Sequence, residues 1–260
     1  MILTSTIMSV FTSAWKLVLI FLASISFTYI MFQQLLAREP QLALALNWKL
    51  SFEDMQRSDV NLAFRRAMED EFYLSLACFA CVYFIKQTFA IPGSALLNIL
   101  AGVLLPIHIA FPVVSALTMI GASCCYLLSS TLGSRERLVA LTDYLLPGKL
   151  EVLQNKITQA HEDNRLFFVL LFLRIFPFSP NWLLNIASPY LRIPIYLFAP
   201  AVLLGLMPYN FVTVKAGSML AQLNSVQDIF DTQTLLGFLF LAIAMLIPAI
   251  VKKRANQKSD

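Results

Sequence analysis

The apolar positions of this chain gather into runs of two kinds. Four runs, residues 15–36, 107–132, 195–214 and 235–251, are continuous and about 17 to 26 residues long, enough for a helix to cross the roughly 30 Å hydrocarbon core of a bilayer. Two others, residues 72–106 and 165–194, are as apolar but broken, the first at Pro92 and Gly93 and the second at Pro177, Pro180, Pro189 and Pro194. Proline removes a backbone donor and clashes with the preceding turn, so neither run can be one straight helix. Irregular backbone at membrane depth is tolerated where it is buried in protein or lines a wet cavity. Each broken run is therefore expected to enter the bilayer, bend and return.

The polar intervals add shorter elements. Ser51 and Asp54 make a capping box that would open a helix lying along the membrane surface. Between 134 and 165 the apolar residues Leu150, Leu153, Ile157 and Ala160 recur at helical spacing, which predicts a second surface helix. Gly133 is placed to stop the span before it, with Ser115, Gly121, Ala122 and Ser123 giving that span a small-residue packing face. Pro200 and Pro208 predict kinks in the 195–214 span, which Lys215 and Gly217 are expected to end. Residues 15–36 lack a basic region before them and a small-residue cleavage site behind a short apolar core, and so read as a retained signal anchor.

The two broken runs are related. Leu96, Leu97, Asn98 and Ile99 recur as Leu183, Leu184, Asn185 and Ile186, an offset of 87 that also places Phe89 on Phe176 and Gly102 on Pro189. One basic residue, Lys86 or Arg174, precedes each copy close to register. Paired interrupted segments in corresponding halves mark an internally repeated transport fold with its site at the repeat interface. The basic tail, with Lys252, Lys253, Arg254 and Lys258, belongs in the cytosol, and the 216–234 linker carries Asp228 and Asp231 on the other side. Counting back, the N-terminus is cytosolic, the first hairpin enters from the lumen and the second from the cytosol. With one net crossing per repeat, the copies must be inverted. The expected fold is an all-α integral membrane protein, an inverted repeat with two re-entrant helical hairpins and about four spanning helices. It divides into a signal anchor (1–37), a lumenal amphipathic segment (38–71), a core of two repeats (72–217) and a last span with its tail (218–260).

Composition agrees. Hydrophobic residues make up 58% and charged residues 13% of the chain, with a mean hydropathy of +0.73, against about 25% charged in soluble domains. The net charge of +4 sits partly in the tail and forms no patch interleaved with aromatics, so nucleic acid is not an expected partner. Cys78, Cys81, Cys124 and Cys125 all lie in apolar stretches, where packing explains them better than a metal or redox pair. His161 falls in a polar, solvated stretch. No phosphate-cradling glycine loop, GxSxG or HExxH motif is present, which disfavours an ATP-driven pump or a membrane hydrolase, and no cofactor is expected.

What remains is a polar seam where the hairpins meet. Ser94, Asn98, Asn181, Asn185 and Ser188 offer hydrogen bonds, and Lys86 and Arg174 offer positive charge. Such a seam lowers the barrier to moving a polar headgroup through hydrocarbon, and arginine suits a headgroup phosphate because its fork binds two oxygens at once. Arg174 could equally be a snorkelling anchor at the interface, and at least one asparagine is expected to cap a broken helix instead.

The strings FIKQTFAIPGS (84–94), LRIFPFSPNWLLNIASP (173–189) and GLMPYNFVTVKAG (205–217), in this order within residues 50–251, resemble those of the transmembrane protein 41 group, also called stasimon, in the DedA or VTT-domain superfamily. The resemblance implies an ATP-independent phospholipid scramblase of the endoplasmic reticulum membrane that supports autophagosome formation and lipid or lipoprotein homeostasis. Phospholipids are then the expected partners, with autophagy or lipid-transfer proteins beside them. The bacterial DedA pattern has acidic residues where Lys86 and Ser94 stand and a second arginine at Pro180; only Arg174 and Pro177 are kept. A proton-coupled transporter needs a titratable carboxylate in its path, so this departure favours the scramblase over an ion-coupled transporter of a small anion. A membrane scaffold for autophagy proteins is the third alternative. The expected pathway residues are Lys86, Pro92, Gly93, Ser94, Asn98, Arg174, Pro177, Pro180, Asn181, Asn185 and Lys215. Lys258 supplies half of a dilysine retention address.

The topology has a direct check. Single cysteines introduced at Asp59, Glu151 and Asp228 should react with an impermeant thiol reagent from the lumenal, cytosolic and lumenal sides respectively. Asp59 and Glu151 reacting from the same side would rule the arrangement out.

Overall fold

The computed structural model describes residues 2–45, 58–133, 149–163, 165–176 and 180–221. These form ten helices: α1 Ile2–Arg38, α2 Pro40–Ala45, α3 Ser58–Asp70, α4 Phe72–Thr88, α5 Ser94–Leu104, α6 Ile107–Leu132, α7 Lys149–Glu162, α8 Leu166–Ile175, α9 Asn181–Ala187 and α10 Ile195–Leu220. Three stretches, Trp15–Arg38 of α1, α6 and α10, are long and apolar enough to cross a membrane. The Ser51–Asp54 capping box, the Asp228–Asp231 linker, the 235–251 span and the basic tail lie outside the described residues.

The repeat is visible in the helices. α4, α5 and α6 correspond to α8, α9 and α10; α6 and α10 are both 26 residues long, and each begins with an isoleucine directly after a proline. Within the first repeat, Tyr83 of α4 bonds Asn98 of α5 and Lys86 bonds Ser94, so α5 runs back antiparallel to α4 and the pair is a re-entrant hairpin. Arg174 of α8 reaches Asn181 and Asn185 of α9 in the same manner. Across the repeats, Phe111 of α6 meets Phe211 of α10, Thr118 meets Asn210, and Tyr126 meets Phe198. One number rises as the other falls, so the equivalent long helices are antiparallel and the repeats are inverted.

Each hairpin's returning arm is seated on the long helix of the other repeat, α5 on α10 and α9 on α6, while α4 packs on α6 and α8 on α10. The turns close their own backbone. At the end of α4 the amides of Ala90 and Ile91 bond the carbonyls of Gln87 and Lys86, with Ala90 left-handed (φ 54°), a Schellman cap made without glycine. Arg192 (φ 55°) repeats the device after α9, where the amides of Arg192 and Ile193 bond Pro189 and Ser188. Gly93, at φ 117°, makes the bend into α5 that other residues rarely adopt.

Several expectations are corrected. The last described span does not stop at Lys215 and Gly217 but runs to Leu220; Gly217 lies inside α10, where a Cβ would fall on the carbonyl of Ile99 in α5. Gly102 faces the carbonyl of Val214 in the same way, so the pair lets two backbones touch. The run after Phe72 is also longer than its apolar core, with α4 reaching Thr88. Gly133 does end α6, but with extended backbone; the close approach of Tyr190 explains its lack of a side chain. The surface helix is present as α7, whose Ile157 and Ala160 are buried with Leu166 and Leu170 of α8. Cys78 packs where Leu35 of α1 meets Ala67 of α3. Arg65 of α3 donates to the Ala221 carbonyl at the end of α10 (3.0 Å), a cation on a helix C-terminus.

The glycine pair is the most sensitive packing feature. Gly102→Val or Gly217→Val should destabilise the protein by about 1–3 kcal/mol or more, because backbone cannot yield to the new methyls. Thermal melts in detergent should show a lower midpoint for both, and wild-type midpoints would contradict the close backbone approach.

Candidate functional site

The two hairpins enclose one cavity of about 780 Å³, within the range of about 300–1,000 Å³ typical of ligand sites. Its wall combines the end of α4, the first bend, the start of α5, the ends of α8 and α9 that face each other, and the middle of α10. Lys86 is buried; its Nζ donates to Gln87 Oε1 (3.1 Å) and Ser94 Oγ and lies 5.9 Å from the Tyr83 ring centre. Arg174, only 3% exposed, donates through Nη1 to Asn185 Oδ1 (2.7 Å) and more weakly to the Asn181 carbonyl (3.3 Å) and Oδ1 (3.4 Å). Its guanidinium carbon stands 4.8 Å from the Phe198 ring centre. This burial answers the snorkelling alternative: the head points into protein rather than out to water.

Glycines admit both polar side chains. A Cβ on Gly205 of α10 would overlap Arg174, and one on Gly121 of α6 would overlap Gln87 (2.6 Å). The outgoing arm of each hairpin thus rests against a glycine of the long helix in its own repeat, which brings its polar end to the cavity.

Among the described residues, no acidic residue balances these cations. Residues 72–133 and 165–221 contain no Asp or Glu, and the ion pairs of the described residues, Arg38–Glu71 and Arg165–Asp163, are exposed and elsewhere. Among the described residues, Lys86 and Arg174 therefore meet neutral acceptors only. A buried cation without a counter-charge is costly, so the cavity is built to hold water or an anion. α5 also begins here at Ser94, adding the partial positive charge of a helix N-terminus.

Of the expected pathway residues, Lys86, Pro92, Ser94, Arg174, Asn181 and Asn185 line the cavity. Gly93 forms the bend beside it and Pro180 caps the start of α9; Pro177 lies outside the described residues. Lys215 is half-buried on α10 and does not line it. Asn98 sits behind the wall with 0% exposure. Its Nδ2 donates to Asn210 Oδ1 (3.1 Å) and Thr213 Oγ1 (2.9 Å), and its Oδ1 accepts from the Tyr83 hydroxyl (2.9 Å). Tyr83 in turn meets Thr118 Oγ1 at 2.7 Å. Asn98 thus does not cap a helix; it links α5 to α4 and α10, and through Tyr83 to Thr118 of α6. Ser188 is likewise buried and bonds the Leu184 carbonyl at 2.5 Å.

Tyr83, Gln87, Thr118, Trp182, Tyr209 and Asn210 also line the cavity and were not singled out from the sequence. Asn210, a lone amide in an apolar run two residues after Pro208, was the clearest missed signal. The repeat asparagines predict unequal phenotypes: Asn98→Ala removes three buried hydrogen bonds, leaves Asn210 Oδ1 without its Asn98 donor, and should cost about 1–3 kcal/mol. Asn185→Ala should melt closer to wild type, which differential scanning fluorimetry in detergent would show.

Comparison with known proteins places these elements in context. The VTT domain family matches residues 91–219, from the first bend to the end of α10. The chain is 36% identical over 186 residues to the transmembrane protein 41 homolog of Dictyostelium discoideum, covering 72% of this chain and 54% of that one. It is 36% identical over 193 residues to transmembrane protein 41B of Gallus gallus (74% and 69%) and 35% identical over 193 residues to that of Homo sapiens (74% and 64%). The match thus spans about half to two thirds of these relatives' own lengths. No solved structure matches the chain.

Proposed function

The chain belongs to the transmembrane protein 41 group of the VTT-domain family, and from that premise we propose that it is an ATP-independent phospholipid scramblase of the endoplasmic reticulum membrane, supporting autophagosome formation and lipid homeostasis. The observation that carries this reading is the pair of uncompensated cations, Lys86 and Arg174, in a cavity to which both inverted hairpins contribute. A headgroup phosphate supplies the charge that the protein withholds. Arg174 offers it a guanidinium held by Asn185, Ser94 and Asn181 offer neutral hydrogen bonds, and no bond is made or broken. With no carboxylate in either repeat, nothing in the path couples movement to a proton.

The same charge would suit a small free anion, which keeps an anion transporter as the second reading. Purified protein in vesicles carrying fluorescent phospholipid separates them. On adding an impermeant quencher, the scramblase exposes the inner-leaflet label as well, with or without an ion gradient or ATP. Quenching confined to the outer leaflet, with gradient-driven anion uptake, would support the transporter. Arg174→Lys keeps the charge and loses the fork, so it should fold normally and scramble roughly tenfold more slowly, the effect of about 1.4 kcal/mol on a barrier. A parallel fall in melting temperature would make Arg174 structural instead.

A further inference from the structure

A second cavity of about 520 Å³ lies between α1 and the first hairpin. α1 is joined to the first hairpin and α3 at several points: Leu35 is buried with Ala67 and Cys78, Phe21 meets Phe89 edge-on at 4.8 Å between ring centres, and Thr28 bonds Cys81 of α4. Beside these contacts α1, α4 and α5 leave an apolar groove between them. From Phe21 to Leu35 the helix rises about 21 Å, more than the ~15 Å depth of one leaflet's hydrocarbon.

Two hydroxyls on this groove are bonded to backbone carbonyls. Ser75 Oγ bonds the Ala67 carbonyl (2.8 Å) and Thr28 Oγ1 the Ser24 carbonyl (2.9 Å). Lys86, whose Nζ bonds Gln87 and Ser94 but meets no counter-charge among the described residues, lines with Ile91 both the groove and the cationic cavity. The two spaces therefore adjoin at a buried ammonium that meets no carboxylate among the described residues. An occupant that satisfies both sides carries negative charge at one end and a long apolar chain at the other.

We propose that the groove is a binding site for a diacyl phospholipid, with one acyl chain between α1 and α4–α5 and the phosphate at Lys86. α1 is then the outer wall of a lipid site rather than an anchor alone, and Lys86 is the pivot between chain and headgroup. The proposal shares the phospholipid with the scramblase reading but asks only for binding.

The test uses the full chain in phosphatidylcholine vesicles doped with a phospholipid that bears a diazirine halfway along one acyl chain, and in parallel with a diazirine alkane that has no phosphate. After irradiation, adducts of the lipid should concentrate on groove residues such as Ile25, Thr28 and Val82. Lys86→Gln should lower phospholipid labelling there about tenfold while leaving alkane labelling unchanged. Ile25→Trp, on the exposed face of α1, should block both probes without disturbing the core. Adducts spread evenly over bilayer-facing side chains such as Leu127 and Phe211, or phospholipid labelling indifferent to both variants, overturns the proposal. So does disulfide trapping of Val82→Cys with a cysteine in residues 235–251 or in a second copy, in place of lipid. Labelling without lipid movement would keep this site and sink the scramblase reading; movement without groove labelling would do the reverse.

Discussion

A chain that turns back inside hydrocarbon must satisfy its own backbone polar groups, since no water is there to do so. That constraint shapes both hairpins. The amides after α4 and after α9 bond back into the preceding turn, at the cost of a left-handed Ala90 and a left-handed Arg192. The returning arm of the first hairpin, α5, is then held against backbone rather than against bulky side chains, Gly102 on Val214 and Gly217 on Ile99. In the second repeat hydroxyls serve the same end: Ser129 and Tyr126 of α6 donate to the Ile186 and Ile193 carbonyls at 2.8 Å, and Tyr190 donates to Ser129. With the backbone satisfied by such means, the polar side chains of the hairpins are free to face a cavity.

The repeats share a fold but not a chemistry. Asn98 and Asn185 occupy equivalent places, yet Asn98 is locked behind the cavity wall by three partners and Asn185 holds Arg174 at its surface. Lys86 and Arg174 are likewise equivalent in position and differ in setting, one beside Gln87 and Ser94, the other stacked on Phe198. One repeat thus supplies an ammonium bonded to neighbouring side chains and the other a guanidinium stacked on an aromatic ring, so a near-symmetric frame carries two unlike cationic settings.

Much of this was legible in the sequence because proline and glycine act locally. The broken runs, the span over Ile107–Leu132 and the repeated LLNI string all follow from short-range rules, and the inverted arrangement follows from counting crossings. The fate of the two asparagines did not, because it depends on which residues of α6 and α10 stand opposite them. Nor did the role of Gly217: next to Lys215 it looks like a helix end, and only the approach of α5 shows why the position is bare. Asn210 and Thr118 escaped notice as single polar residues in long apolar runs, where sequence alone cannot tell a packed hydroxyl or amide from a cavity wall.

The central claim is that lipid phosphate compensates the charge of Lys86 and Arg174. Native mass spectrometry of the protein purified in a non-ionic detergent, before and after Lys86→Gln and Arg174→Gln, reads this most directly. The account predicts that the wild-type chain retains a phosphate-bearing lipid through delipidating washes, and that each variant loses it while staying folded. Equal retention in all three, or none in the wild type, would contradict it.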